Sequence, residues 1–422
     1  MYSASSVPSS TVHHRTRRFI ALEWLRFILG LYIVVFHTLH YYPSINSWSG
    51  YITGLGFFAT STFFILSGFL LTHVYIKPLP PSGQYGLRES KRSFLVRRLA
   101  NLYPIHIGAM IITIIVMTLL PLLKLSPEDV NASIRAVMFD VNNGDSTWHL
   151  MDNKELFWAA VENIFLLQAW NPYYLTFNPP TWSISTLFFF YLVFPWLAMW
   201  LWHRRNPMRW LFFTNIMYLI PPVLVIAMTS WGAPETGLLH RNPIVRLPEF
   251  VGGILLCVWY HRYAAQALIY RRIVGLLVLI IATIGLGEWL LRPGHSAGWH
   301  YVLHNGLMMP AQLALIYLCL FVSSPKSTFW QRWASRLGGA SLPMFALHVP
   351  LYLIFSRIEM AISGQHPTQC LSSLEQCSAQ AGTVSFSWYP LFLLLTVTFC
   401  VVFQEQFVLR ARAIIQKLLL KR

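Results

Sequence analysis

Charged residues make up only 11% of this 422-residue chain, where soluble domains carry about 25%. That scarcity excludes an ordinary water-soluble domain, whose surface needs ionised side chains. Acids are scarcer still, 15 Asp and Glu against 31 Lys and Arg, for a formal net charge of +16. A soluble nucleic-acid-binding module would place such an excess on a solvated face; this chain has little of one, and no nucleic-acid partner is expected. Five cysteines in the whole sequence exclude a disulfide-stapled small scaffold. The composition also excludes disorder and collagen-like repeats. No Gly-rich phosphate loop, CxxC pair or metal-ligand spacing is found, so no metal is expected. The polar–apolar alternation of a membrane β-barrel is missing as well.

What the sequence does contain is apolar surface: 55% hydrophobic residues, 15% aromatics and 17 Trp. A bilayer core is crossed by about 20 apolar residues, and stretches of that length recur at 19–41, 50–76, 103–123, 181–202, 210–230, 244–260, 273–291, 301–322, 340–357 and 388–408. Hydrocarbon cannot satisfy backbone polar groups, so each should be a helix. The expected fold is all-α: a polytopic integral membrane protein with ten transmembrane helices. Residues 1–18 and 409–422 read as basic tails flanking a membrane domain at 19–408.

Charge placement gives the orientation. The segments before span 1, between 2 and 3, 4 and 5, 6 and 7, 8 and 9, and after span 10 hold 23 of the 31 Lys and Arg with one acid, Glu89. The loop at 124–162 reverses this, with three basic residues and seven acids. Cytoplasmic loops are rich in Lys and Arg, so both termini are expected in the cytoplasm. Cys370 and Cys377 then fall in an external loop, where either a disulfide or two free thiols fits the sequence. Cys257, Cys319 and Cys400 lie in apolar stretches as small packing residues.

Inside hydrocarbon an ionisable residue is a functional candidate. Span 1 carries Glu23, Arg26, His37 and His40. The eleven residues from Arg26 to His37 bring both to within about 20° of one helix face, about 16 Å apart along the axis. Glu23, three residues before Arg26, is placed to pair with it. Arg26 near a helix end is also explained by snorkelling, which explains His37 poorly. The stretch Lys91–Pro104, with Arg92, Arg97 and Arg98, reads as a basic amphipathic segment on the membrane surface that ends where Pro104 opens span 3. It suits anionic headgroups or a phosphate-rich ligand, which arginine grips bidentately.

These pieces resemble the acyltransferase-3 family. The resemblance rests on Arg26-x10-His37, FFILSGFL at 63–70, the arginines leading into LYPIH, Trp182-Ser183-Ile184-Ser185, RLPEFVGGILL at 246–256 and LGGASLPMFALHVPLY at 337–352, in family order over 19–405. It implies a ten-span O-acyltransferase of surface polysaccharides and other glycans in the cell membrane, the bacterial inner membrane above all. Such a protein takes an acyl group, usually acetyl, from acyl-CoA and passes it to an acceptor hydroxyl. It binds no permanent cofactor; acetyl-CoA is a substrate. Carried over by residue, Arg26 and His37 match the family's paired Arg and His, and Arg98 the first arginine of its Arg-x-x-Arg motif. Asn101 stands at the second position, where Arg97 or Arg92 would have to supply the charge. Thr186 stands where many members have Glu, so no role of that Glu transfers.

Together these readings make His37 the general base, since an ordinary imidazole pKa of about 6.5 suits proton transfer near neutral pH. Arg26 would position the donor or stabilise developing charge, with Glu23 orienting it, while Arg92, Arg97 and Arg98 bind the donor phosphates. Ser67, Trp182, Ser183 and His348 are candidate acceptor contacts, although each also reads as packing. Arg246 and Glu249 read as a structural ion pair. Gly144-Asp145-Ser146 resembles the nucleophile block of SGNH esterases, but no strand pattern precedes it. Asn131-Ala132-Ser133 is a glycosylation sequon. The rivals are a secondary transporter, which would show interrupted helices in repeated halves, and an acyltransferase acting on a small non-glycan acceptor.

Overall fold

The computed structural model describes residues 18–79, 83–125, 133–141, 145–263, 270–371 and 373–420. Among them, nine helices are long and apolar enough to cross a bilayer, and a helix pair bent by 41° supplies a tenth crossing. The spans are α1 (Ile20–Tyr41), α2 (Pro43–Tyr75), α3 (Lys91–Leu123), α4 (Pro179–Trp202), α5 (Pro207–Met228), α6 (Glu235–Tyr263), α7 (Tyr270–Leu290), α8 (Trp299–Leu307 with Met309–Cys319), α9 (Thr328–Ile362) and α10 (Phe386–Leu420). Each overlaps one of the ten stretches read from the sequence. The chain is a multi-pass membrane protein. Arg15, Arg17, Asn131, Ala132 and Gly144, and the ends of both tails, lie outside the described residues.

Ring stacking and close backbone contact hold the bundle together, as expected where lipid removes any hydrophobic drive between helices. α2 is the centre, with 78% of its apolar window buried, whereas α5 and α7 bury 11% and face outward. α2 lies against α6 because neither has a side chain at the crossing. A Cβ on Gly253 would collide with the Ile65 carbonyl, and one on Gly68 with the Phe250 carbonyl. Around that contact Phe64 meets Phe190 edge to face and Phe190 stacks on Phe250, with centroids 5.3 and 5.0 Å apart. α1 packs along α9, and α10 returns against α9 and α3.

Four local features differ from the sequence expectation. Pro104 does not open a span; the helix runs unbroken from Lys91 to Leu123. The chain starts it at Ser90, whose Oγ accepts from the Ser93 amide at 3.2 Å. Proline inside a membrane helix removes one backbone bond and is tolerated where neighbouring helices enclose it; Pro104 is buried. Second, α10 continues to Leu420, so residues 409–420 form a helix lying along α3. Third, strands are present: β1 (Ile76–Pro78) pairs with β2 (Tyr85–Leu87), and β3 (Ala136–Asp140) with β4 (Ser146–Leu150). A strand therefore does precede Asp145-Ser146, but the segment turns into a second strand and not into the helix of a nucleophile elbow.

The fourth difference is in α8. Its first part ends in Leu303–Leu307, where Asn305 leaves helical geometry and Gly306 takes φ +129°. The sequence His304-Asn305-Gly306 followed by Pro310 carries the signal for such a break. The freed Gly306 carbonyl accepts from Asn215 Nδ2 at 2.9 Å, which repairs part of the loss. Outside the spans, Cys370 and Cys377 form a disulfide.

Candidate active site

α1 carries ionisable groups at two levels, Glu23 and Arg26 near its start and His37 near its end. Near its start, Arg26 Nη1 lies 3.3 Å from Glu23 Oε2, and Arg18 Nη2 lies 3.9 Å from the other carboxylate oxygen. Gly338 of α9 lets the helices touch here, since a Cβ on it would come within 2.8 Å of the Glu23 carbonyl oxygen. Eleven residues further on, the His37 ring stacks on His348 of α9, with centroids 4.9 Å apart and planes 23° from parallel. His348 Nδ1 donates to the Met344 carbonyl at 2.8 Å. That bond fixes the tautomer, so Nε2 carries the lone pair. Nε2 is buried and has no partner among the described residues. The Met344 bond binds His348 within its own helix, and the stacking brings it to His37.

At the arginine-rich level stands Tyr191 of α4, close to Ser67 and within electrostatic reach of both Arg98 and Arg26. Ser67 thus belongs to the inner, arginine-rich level and not to the level of His37. Arg98 Nη2 donates to the Tyr75 hydroxyl at 2.6 Å, and its guanidinium lies 5.1 Å from that ring centroid. Arg98 Nε is buried without a partner among the described residues. Arg97 is committed elsewhere, 2.9 Å from Glu89. Arg92 reaches the Leu419 carbonyl at 3.4 Å. Of the three sequence-named arginines, Arg98 is the one placed within electrostatic reach of Tyr191, as Arg26 is. Its companion is Arg412 of α10, which the sequence hides in a basic tail and which lies within electrostatic reach of Arg98, Arg97 and Tyr75.

Beyond His37 the structure assembles groups that the sequence scatters. His240 lies within electrostatic reach of His37; its ring is 4.9 Å from Trp182 and 5.5 Å from His304. His304 lies 2.5 Å from Arg246 Nη1 and its ring is 5.8 Å from His300. Arg246, fully buried, also reaches Ser61 Oγ at 2.9 Å and Glu249 Oε1 at 2.8 Å. The Arg246–Glu249 ion pair is therefore present, as part of a larger polar centre. The break in α8 is what aims His304 and Asn305 inward; a straight helix gives no sequence signal for this.

Trp182 fills the gap between His240 and Phe64, while Ser183 donates to the Pro180 carbonyl at 2.9 Å and Ser185 to the Leu166 carbonyl at 2.5 Å. Both hydroxyls brace the entry to α4. Thr186 Oγ1 donates to the Arg241 carbonyl at 3.0 Å, and Arg241 Nε to the Asn171 carbonyl at 2.8 Å. Asn171 opens onto a hollow of about 390 Å³ lined by Asp152, Glu155, Trp158, Glu162 and Tyr174 among others. There Asp152 caps the helix Asn153–Ile164 reciprocally with Glu155. The Asp152 amide and His149 hold the Glu155 carboxyl below its usual range. Burial pushes the Glu162 carboxyl up, against the pull of Asn171 and Arg241.

The candidate site thus has an arginine-rich level and a histidine pair about 16 Å along α1; a carboxylate- and aromatic-lined hollow lies separately on the loop that follows α3. Known proteins share its sequence. An acyltransferase named MdmB from Streptomyces mycarofaciens is 28% identical over 225 residues, 49% of this chain and 48% of its own. An O-acetyltransferase named OatA from Staphylococcus aureus is 23% identical over 328 residues, 74% of this chain and 48% of its own. Protein 2 of the picA locus of Rhizobium radiobacter is 30% identical over 173 residues, 40% of this chain and 75% of its own. The chain spans about half the length of the first two. No solved structure matches it. The acyltransferase-domain model of the acyltransferase-3 family matches residues 19–405, and the chain belongs to that family.

Proposed function

We propose that this protein is a membrane O-acyltransferase that transfers an acyl group, acetyl in the first instance, from acyl-CoA at its basic end to a hydroxyl of a glycan acceptor at the opposite end, in the bacterial inner membrane. The observation that supports the reading is the pair of levels on α1: Arg26, paired with Glu23 and sharing the neighbour Tyr191 with Arg98, and His37 stacked on His348 further in. The donor's phosphates meet the unpartnered Arg98 Nε and the Arg412 guanidinium, groups suited to a polyanion. Arg26 is too far from His37 to act on the same atoms, so it guides the donor arm and does not stabilise the reacting carbonyl. His37 takes the proton of the acceptor hydroxyl as that oxygen attacks the thioester carbon. The CoA thiolate leaves and recovers the proton. His348, tied to Met344, holds the His37 ring in place.

A saccharide acceptor fits the loop hollow. Trp158 and Tyr174 offer flat apolar faces beside Asp152, Glu155, Glu162 and Asn171, which accept from or donate to hydroxyls. Sugars present that alternation of C–H face and hydroxyl edge, and binding sites of this kind combine apolar walls with a few placed polar groups. Membrane vesicles supplied with acetyl-labelled CoA should transfer label to the organism's glycan fraction, and His37→Ala vesicles holding equal amounts of protein should not. Label appearing only in a small soluble product would replace the glycan with a non-glycan acceptor. Solute uptake without transfer would return the protein to the transporters.

A further inference from the structure

At the basic end of the bundle, next to the arginine-rich level and away from the histidine pair, three soft or borderline ligands converge. His73 lies at the end of α2, and Cys257 and His261 lie four residues apart on α6, one turn above each other on one helix face. His73 Nδ1 and His261 Nε2 are 3.0 Å apart although 188 residues separate them in sequence. With the Cys257 sulfur, all three ligand atoms fall within 4.8 Å of one another. The distance in sequence is why no spacing motif marks the set.

We propose that His73, Cys257 and His261 form a binding site for a zinc-class divalent ion, with a fourth position open on the side of the exposed His261. Zinc bonds of about 2.0–2.1 Å to nitrogen and 2.3 Å to sulfur place tetrahedral ligand atoms about 3.3–3.6 Å apart. The two nitrogens are already close to that spacing, and the sulfur needs a small approach. The cluster lies about one turn from the contact that centres the fold, where Gly68 and Gly253 bring the backbones of α2 and α6 together. A shared hydrogen bond would account for the two imidazoles alone, but not for the thiol directed at the same point. The site also has a consequence for the proposed donor site. Tyr75, two residues after His73, accepts the Arg98 bond, so an ion clamping the end of α2 to α6 fixes the residue that holds Arg98.

The test is cobalt(II) alone, added to purified, chelator-stripped protein in detergent. Wild type should take up about one ion per chain with a thiolate-to-cobalt charge-transfer band, and zinc should bleach that band. Cys257→Ser should abolish it, and His73→Ala and His261→Ala should each weaken uptake at least tenfold. Absence of the band in wild-type protein at stoichiometric cobalt would overturn the proposal without recourse to any variant. Persistence of the band in Cys257→Ser protein of unchanged gel-filtration profile would overturn it equally. None of these readouts depends on acyl transfer, so the metal site and the enzymatic reading stand or fall separately.

Discussion

His37 and His348 face each other across the contact between α1 and α9, rings stacked at 4.9 Å, and only His348 is tied to a backbone carbonyl. In the proposed mechanism this asymmetry separates their roles: the untied ring would move the proton and the tied ring would position it. His37→Ala should lower kcat by about a thousandfold, within the usual span for a lost general base. His348→Ala should lower it about tenfold to a hundredfold, leave the donor KM unchanged, and shift the pH–rate profile, because the His37 ring loses its neighbour. His348→Asn, which can keep a hydrogen bond to Met344 but not the ring stack, tests which of the two matters. Equal kcat in wild type and His348→Ala would assign His348 to packing.

At the other level, the proposed donor site would draw Arg98 and Arg412 from two helices that are far apart in sequence. Replacing either by Ala should raise the acyl-CoA KM about tenfold, equivalent to about 1.4 kcal/mol, with a smaller effect on kcat. Arg97→Ala should do much less, because Arg97 is occupied by Glu89. Raising ionic strength should weaken donor binding in wild type and have little effect once both arginines are gone. Steady-state kinetics in proteoliposomes with varied acetyl-CoA would measure each.

The contrast between Arg98 and Arg412 shows what the sequence could and could not reveal. The ten spans were legible because length and hydropathy decide them locally. Arg26 and His37 were legible because helical spacing places residues of one element relative to each other. Arg412 was not: in a basic tail its charge reads as orientation, and only the return of α10 along α3 brings it to Arg98. His240 and His304 were hidden for a related reason, since their approach to Trp182 and Arg246 depends on the bend at Asn305-Gly306. Ser183 shows the converse. The motif drew attention to it, but its hydroxyl is spent on the Pro180 carbonyl.

The crossing of α2 and α6 sets a limit on substitution. Gly253→Leu places a branched side chain against the Ile65 carbonyl, where neither helix backbone can yield. Overpacking in a tight interior costs about 1–3 kcal/mol, and the loss should exceed that where the obstacle is backbone. The expected result is little folded protein in detergent by fluorescence-detected gel filtration. Gly275→Leu, on outward-facing α7 where a Cβ meets nothing within 4 Å, should leave the profile unchanged.

The loop helix Asn153–Ile164 should loosen in acid. Glu155 lies below its ordinary pKa because the Asp152 amide and His149 favour its ionised form. A depressed acid stabilises above its unfolded pKa, about 4.3, and that contribution disappears as pH falls through the lower folded value. Amide exchange over Asn153–Ile164, corrected for its intrinsic pH dependence, should therefore accelerate below about pH 4. In Glu155→Gln the acid step should vanish, because the variant lacks the carboxyl that titrates.

The charge pattern and the disulfide make one joint prediction about orientation. Ten crossings return the chain to the face from which it began, so the basic loops share one side and the Cys370–Cys377 loop lies on the other. Disulfides persist where the compartment oxidises, so that loop is expected outside. A membrane-impermeant maleimide applied to intact cells should label Cys370 and Cys377 only after an impermeant reductant has opened the bond. Lys326→Cys, exposed in the basic loop between α8 and α9, should be labelled only after the membrane is permeabilised. Labelling of the introduced cysteine in intact cells would invert the topology. It would also move the arginine-rich level away from the compartment that holds acyl-CoA, and the proposed direction of transfer would fail with it.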